Sequence, residues 1–194
     1  MELAELDFDK LYTYADYFKW QFEERVELIK GRIFKMSPAP NPMHQLIVGD
    51  LHAVLRNFLK KKQCKAFVAP FDVRLPRKSK EDKDIFTVLQ PDVCVICDRA
   101  KWDTKGCIGA PDIVVEVLSP GNNAKELKNK FEAYEEAGVQ EYWIVSPQDN
   151  TFLVNTLVDG RYVTSHPMTT GDIVTTSILP GFTLDLKELF DSMN

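Results

Sequence analysis

Two segments of the chain carry the hydrophobic periodicity of a helix, and short apolar runs between polar turns fill most of the remainder. From Met43 to Lys62 apolar residues recur every three or four positions, which predicts a long amphipathic helix. A second helix is predicted between Gly121 and Gly138, with Gly138 as its stop. Asn123 and Glu126 have the spacing of a capping box at its start, although asparagine replaces the usual serine or threonine.

Runs that alternate between apolar and polar residues, or that are apolar throughout, predict the strands. They comprise a hairpin at 27–36 that turns at Lys30-Gly31, strands at 66–75, 88–97, 113–118 and 141–145, and short antiparallel strands at 152–157, 161–164 and 173–179. Thr13 is placed to cap a short helix over 14–20, and the prolines at 38, 40 and 42 predict a rigid connection. This order of elements predicts an α/β fold with one mixed sheet flanked by helices.

The composition is that of an ordinary soluble globular protein, with 44% hydrophobic and 27% charged residues. A chain of 194 residues can bury a sizeable core, so we expect a single domain over residues 1–194. No apolar run is long enough to cross a bilayer, and the acidic, tyrosine-rich start does not resemble a signal peptide. We therefore expect a cytoplasmic protein without a membrane partner.

The four cysteines, Cys64, Cys94, Cys97 and Cys107, are predicted to be reduced thiols, because the sequence carries no export signal. Cys94 and Cys97 have the spacing of a zinc-binding pair. Both lie in an apolar run, however, and residues three apart on a strand point to opposite faces. Buried core cysteines are therefore the favoured interpretation, and zinc is not expected.

Two basic clusters stand out against a net charge of −5. One comprises Lys60, Lys61, Lys62 and Lys65, and the other comprises Arg77, Lys78, Lys80 and Lys83 with interleaved acids, preceded by Arg74. An acidic balance is not typical of a protein that coats itself in nucleic acid, but it does not exclude a nuclease. The favoured interpretation of the two clusters is a solvated helix end and a charged loop from Arg77 to Asp84.

One charged residue, Glu116, interrupts the apolar strand from Ile113 to Leu118. A carboxylate inside a central strand is costly unless a metal, a cation or several donors meet it. Asp112 shares its strand face, but four residues of strand separate the two by ~13 Å, too far to share one metal ion. Asp92, which follows Pro91 at the start of the preceding strand, is the expected partner, and Asp112 is expected to have a turn role.

One lysine of the second helix, Lys130, is predicted to lean toward the sheet. At about 100° per residue it lies beside Tyr134, on the edge of the buried stripe, whereas the neighbouring lysines project outward. Taken alone, the position favours a lysine that buries its stem and keeps its amine in water. A buried Glu116 and a nearby Asp92 give weight to a cation aimed at the same pocket.

Two carboxylates and a lysine form a recurrent set of groups for phosphodiester hydrolysis. Carboxylates hold Mg²⁺, which prefers oxygen ligands and keeps several waters. The metal polarises the phosphate and lowers the pKa of a bound water, while the lysine orients or deprotonates that water or offsets charge in the transition state. His44 lies on the apolar face of the first long helix, where a satisfied core-edge histidine is the commoner state, but its place on the first turn leaves a site role open.

These residues lie in motifs that resemble a known family. The motifs are Pro91-Asp92, Pro111-Asp-Ile-Val-Val-Glu-Val-Leu-Ser-Pro120, Lys130-x-x-x-Tyr134 and Gly138-Val-x-Glu-Tyr-Trp143, with Glu27-Leu-Ile-x-Gly31, Met36-Ser-Pro38 and His44 upstream and Asp159-Gly-Arg-Tyr162 and Leu179-Pro-Gly-Phe182 downstream. Together they resemble the Uma-two family of restriction endonucleases, a branch of the PD-(D/E)XK nuclease superfamily. The resemblance covers nearly the whole chain.

The resemblance implies a restriction-endonuclease-like αβββαβ core with added N- and C-terminal β-hairpins. It implies that Asp92 and Glu116 bind Mg²⁺, or Mn²⁺ in its place, and that the backbone carbonyl of Val117 adds a ligand. The superfamily lysine two residues after the acid is replaced here by Leu118, and members of the family carry a lysine on the following helix instead, which is Lys130.

Two further residues, Glu27 and His44, match family motif positions and are expected to line the site. The leading hypothesis is a Mg²⁺-dependent DNA endonuclease that acts as a homodimer, because cleavage of both strands needs two active sites. The loop from Arg77 to Asp84 is a candidate DNA contact. The second hypothesis is a catalytically silent module that binds DNA or protein, and the third is a purely structural ion pair between Glu116 and Lys130.

Overall fold

The computed structural model describes residues 2–36, 41–120 and 124–191. Within these ranges the chain forms four α-helices: α1 (Tyr14–Tyr17), α2 (Pro42–Phe58), α3 (Ala124–Ala137) and α4 (Leu186–Asp191). It also forms fourteen strands: β1 (Val26–Ile29), β2 (Arg32–Lys35), β3 (Lys65–Val68), β4 (Val73–Arg74), β5 (Val88–Leu89), β6 (Val93–Ile96), β7 (Trp102–Asp103), β8 (Gly106–Ile108), β9 (Ile113–Val117), β10 (Glu141–Ser146), β11 (Thr151–Val158), β12 (Arg161–Thr164), β13 (Ile173–Thr175) and β14 (Thr183–Asp185).

One six-stranded sheet contains the predicted αβββαβ core. Its strand order is β12-β11-β10-β9-β6-β3, and the core runs along the chain as α2, β3, β6, β9, α3 and β10. Strands β9 and β10 are parallel, and α3 forms the crossover between them. Hairpin partners β11 and β12 extend the sheet beyond β10. This arrangement confirms the restriction-endonuclease-like fold.

The prediction of one mixed sheet is wrong, because a second six-stranded sheet has the order β2-β1-β5-β4-β8-β7, and β13 and β14 form a separate pair. The predicted strands over 66–75 and 88–97 each divide between the two large sheets. The first divides around Pro70 and the second around Pro91, since proline offers no N–H to a ladder. As a result, Asp92 lies where the chain passes from one sheet to the other.

The helices and turns follow local signals in the sequence. The Asn41 side chain accepts a hydrogen bond from the His44 amide at 2.9 Å and caps α2, with Pro42 at the first position. Lys30 and Gly31 both adopt positive φ, as a two-residue hairpin turn between β1 and β2 requires. Gly138 has φ +84° and ends α3. The predicted prolines at 38 and 40 and the Asn123 cap lie outside the described residues.

Alternating side chains of the core sheet build two apolar layers. Odd positions of β9, such as Val115, pack with α2 and α4, and even positions, such as Val114, pack with α3 through Tyr134. Glu116 is an even position and therefore points to α3. No helix within the described residues is long and apolar enough to span a membrane.

The prediction of four reduced thiols is wrong for two of them, because Cys64 and Cys97 form a disulfide. Strands β3 and β6 are antiparallel, and Lys65 faces Ile96, so the register brings the flanking cysteines together. Cys94 and Cys107 are free and buried, and Cys94 and Cys97 pack on opposite sides of the sheet, as alternation predicts.

Candidate active site

Five predicted site residues come together where the two large sheets meet. Glu27 lies on β1 of the second sheet, and Asp92 lies directly before β6. Glu116 lies on β9, Lys130 on the middle of α3, and His44 on the first turn of α2. The five side chains thus come from four elements and from the residue that precedes β6.

Lys130 is the centre of the cluster. Its Nζ lies 3.0 Å from both carboxylate oxygens of Glu116 and 3.2 Å from Glu27 Oε2. All three residues are buried, with Lys130 only 5% exposed. The prediction that this lysine leans toward the sheet is confirmed, and two acids share its single charge.

Asp92 connects this cluster to the end of β9 and to α2. Its Oδ2 accepts a hydrogen bond from the Val117 amide at 2.8 Å and lies 3.3 Å from His44 Nε2. The Asp92 side chain is 18% exposed, which makes it the most accessible of the five site side chains. The cluster therefore meets solvent on the side of Asp92.

The pKa values of the cluster follow from burial and from neighbouring charges. Burial raises the pKa of the Glu116 carboxyl to about 8, against the effect of Lys130 and with the help of Asp92 and Glu27. Burial alone would lower the pKa of the Lys130 ammonium, but Glu116 and Glu27 outweigh it and raise that pKa above its usual value. A site in which several carboxylates surround one cation favours the binding of a further positive charge.

Asp112 stands apart from the cluster, as predicted. Its carboxylate accepts hydrogen bonds from the Cys97 amide at 2.7 Å and from Gln140 Nε2 at 3.2 Å, at the opposite end of β9 from Val117. Leu118 is half-buried, and its amide donates to the Val145 carbonyl.

Three polar residues that the sequence patterns did not assign to the site border the cluster. The Tyr134 hydroxyl donates to Glu116 Oε1 at 2.8 Å, and the Gln90 amide donates to Glu27 Oε1 at 2.8 Å. The Tyr142 hydroxyl is buried without a hydrogen-bond partner among the described residues, and the charges of Glu116 and Lys130 act on it. The i, i+4 spacing places Tyr134 next to Lys130 on one face of α3, and this was the sequence signal for the contact of Tyr134 with Glu116.

The donors available to a metal ion are oxygens from Asp92, Glu116 and the backbone. In the described parts of the chain, no group of three or more His, Cys, Asp or Glu side chains is arranged to hold a metal ion. Two carboxylates with further positions left to water and backbone suit Mg²⁺, which keeps much of its hydration shell. Zinc, by contrast, favours sulfur and nitrogen ligands.

Comparison with known proteins agrees with the fold. The model of the Uma2 family, described as "Putative restriction endonuclease", matches residues 14–187. The chain is also similar to the crystal structure of "a putative nuclease belonging to DUF820 from Anabaena variabilis ATCC 29413", with a TM-score of 0.73 and 22% identity, over 94% of this chain and 99% of that one. No curated protein matches the sequence. Because the family model covers most of its length, this chain belongs to the Uma2 family.

Proposed function

We propose that this protein is a Mg²⁺-dependent endonuclease that hydrolyses phosphodiester bonds in DNA. The observation that carries the proposal is the convergence of Glu27 and Glu116 on the buried cation of Lys130, with Asp92 near enough for its charge to help raise the pKa of Glu116. A purely structural ion pair would need one acid, and buried ion pairs stabilise poorly compared with apolar side chains. The description of the Uma2 family supports the same activity.

Asp92 and Glu116 would hold the metal, with Mn²⁺ as an alternative to Mg²⁺. The Val117 amide points at Asp92, and in an extended strand the carbonyl of a residue points to the same side as its amide. The Val117 carbonyl is thus a suitable third oxygen. When bound, Mg²⁺ supplies positive charge for the phosphate and lowers the pKa of water.

Lys130 would act as a fixed positive charge. Its raised pKa keeps the ammonium protonated at neutral pH, so it is unsuited to act as a general base. An ammonium in a buried site can orient water and offset the negative charge that develops on the phosphate. Glu27 would hold Lys130 in place together with Glu116, and His44 would orient Asp92.

DNA is the proposed substrate, and a homodimer would bring two sites to the two strands. Strand β12 lies at the edge of the core sheet, with Val163 exposed, and offers a surface for a second copy. Size-exclusion chromatography with light scattering tests this proposal. A mass of twice 22.2 kDa is expected, and a monomer at micromolar concentration would contradict it.

Nicking of supercoiled plasmid in Mg²⁺ tests the activity. Wild-type protein is expected to nick the plasmid, and Glu116→Ala and Asp92→Asn are expected to lose activity. Glu132→Gln is the matched control, since Glu132 also lies on α3 but pairs with Lys128 at 3.8 Å instead. Equal cleavage by wild type and Glu116→Ala would remove Glu116 from the mechanism.

A catalytically silent module of the same fold is the second candidate. It is favoured by Leu118 at the position of the superfamily lysine and by the net charge of −5. Calorimetric titration with Mg²⁺ or Mn²⁺ separates the two candidates. Binding that the Asp92→Asn, Glu116→Gln double variant lacks supports the enzyme, and equal titrations of the two proteins support the module.

A further inference from the structure

An exposed arginine lies beside the buried cluster. Arg25 directly precedes β1, and its carbonyl accepts a hydrogen bond from the Met36 amide at 3.0 Å, so the pairing with β2 extends to it. Because side chains alternate between the two faces of a strand, Arg25 projects on the same face as Glu27. Two residues of strand, about 7 Å, separate their Cα atoms. Arg25 is thus the next side chain outward from the ion pair between Glu27 and Lys130.

Gln90 holds the Arg25 guanidinium in one orientation. Arg25 Nη2 and Nε lie 2.7 Å and 3.3 Å from Gln90 Oε1. The amide nitrogen of the same side chain donates to the Tyr17 hydroxyl at 3.0 Å and to Asp72 Oδ1 at 2.8 Å, which directs the oxygen to Arg25. The backbone amide of Gln90 donates to Glu27 at 2.8 Å. One residue therefore positions both the arginine and an acid of the site.

No carboxylate in residues 2–36, 41–120 and 124–191 pairs with Arg25, and its partner Gln90 is neutral. By contrast, Arg74 and Arg77 each contact a carboxylate. A guanidinium has five N–H groups in a planar fork, so about three remain for a ligand. Such a fork matches the oxygens of a phosphate.

We propose that Arg25 binds a backbone phosphate of the DNA strand that reaches the site, and so acts as a substrate-binding residue. The inference rests on the proposed function, because DNA is the partner it commits to. The carboxylates of Glu27, Asp92 and Glu116 repel a phosphodiester, and an exposed cation that is held in place beside Glu27 opposes that repulsion. The contact is made to the backbone, so it carries no sequence preference.

The proposal is tested by measuring the binding of a 20-base-pair duplex by fluorescence anisotropy at several salt concentrations. A chelator removes divalent metal ions, so that the duplex is bound but not cleaved. Arg25→Gln is expected to weaken binding about tenfold, as for the loss of one charge-assisted hydrogen bond. It should also reduce the salt slope, which is the steepness with which log K falls with log[salt], by about 0.9. Arg25→Lys should keep the slope and lose part of the affinity, since it keeps the charge but not the fork.

Arg99→Gln is the matched control. Arg99 is also exposed, donates to the Trp102 carbonyl at 2.8 Å and to no other group of the described residues, and lies beyond the end of β6 that is opposite Asp92. It should bind as wild type. An Arg25→Gln variant that binds as wild type, or that loses no more affinity than Arg99→Gln, overturns the inference.

The outcomes also separate this inference from the proposed activity. If the wild-type protein nicks plasmid but its DNA affinity does not depend on Arg25, only the inference about Arg25 is overturned. An Arg25-dependent salt slope without nicking overturns the catalytic proposal and supports the DNA-binding contact. A wild-type protein that neither nicks nor binds DNA overturns both.

Discussion

The Lys130 ammonium lies 3.0 Å from each carboxylate oxygen of Glu116, across 14 positions of sequence and inside the protein. The same ammonium lies 3.2 Å from Glu27. One cation therefore contacts two buried acids, and removing it would take this partner from both.

Lys130→Met should destabilise the fold by about 3 kcal/mol at pH 8, because Glu27 and Glu116 both lose the buried ammonium that they contact. Glu116→Gln should cost less in the Lys130→Met protein than in wild type, since its partner ammonium is already absent. Urea unfolding in metal-free buffer of wild type, both single variants and the double variant measures the coupling, which should be about 2 kcal/mol. Additive effects would show that the two residues do not interact.

The raised pKa of Glu116 predicts a pH-dependent stability. The carboxyl titrates near 4.5 in the unfolded chain and at about 8 in the folded protein, so between these values the folded state holds a proton that the unfolded state has lost. Its contribution is fully present below pH 4.5 and is lost as the pH rises through 8.

Glu116→Gln removes this dependence. The stability of the variant relative to wild type should grow from pH 5 to pH 8, by at most about 1.4 kcal/mol per pH unit, in metal-free buffer. Urea unfolding at each pH provides the measurement. A difference that stays constant over this range would contradict the pKa shift.

Two tyrosines beside the cluster form a natural comparison. The Tyr134 and Tyr142 rings lie 5.0 Å apart, but only the Tyr134 hydroxyl donates to Glu116, whereas the Tyr142 hydroxyl is buried without a partner among the described residues. Tyr134→Phe should cost about 1–2 kcal/mol, because Glu116 loses a donor. Tyr142→Phe should be neutral or stabilising, because it removes an unsatisfied group. Equal unfolding free energies of the two variants would argue against a role for the Tyr134 hydroxyl.

The chemistry of the site could be predicted where it depended on local pattern. Glu116 was conspicuous because it interrupts an apolar strand, and Lys130 because helical periodicity placed it beside Tyr134. The β1–β2 hairpin followed from its two turn residues. Each of these signals lies within about ten residues of the chain.

Relations between distant segments could not be predicted in the same way. Alternation indicates that 66–75 and 88–97 are extended, but it does not reveal which sheet each half joins. The contact between Gln90 and Glu27 depends on that division, because it links β5 and β1. The Cys64–Cys97 disulfide depends on the register of β3 and β6, which no local pattern contains.

That disulfide closes a loop of 33 residues, and its loss should be measurable. Cys64→Ser or Cys97→Ser should each destabilise the protein by about 3 kcal/mol, and the double variant by no more than either, because all three remove the same cross-link. Urea unfolding measures the loss. Titration of thiols in denatured, unreduced protein should find two of the four cysteines, and a count of four would contradict the cross-link.

The charged loop from Arg77 to Asp84 is only partly available to DNA, because two of its cations are engaged. Arg77 contacts Glu136, and Lys83 pairs with Glu81 at 2.9 Å. Lys78 and Lys80 are exposed, and neither pairs with a carboxylate in the described ranges. Lys78→Gln with Lys80→Gln should therefore reduce the salt slope of duplex binding by up to about 1.8, measured by anisotropy in a chelator. The control, Arg77→Gln with Lys83→Gln, should reduce it less, and an unchanged slope in both double variants would remove the loop from the DNA interface.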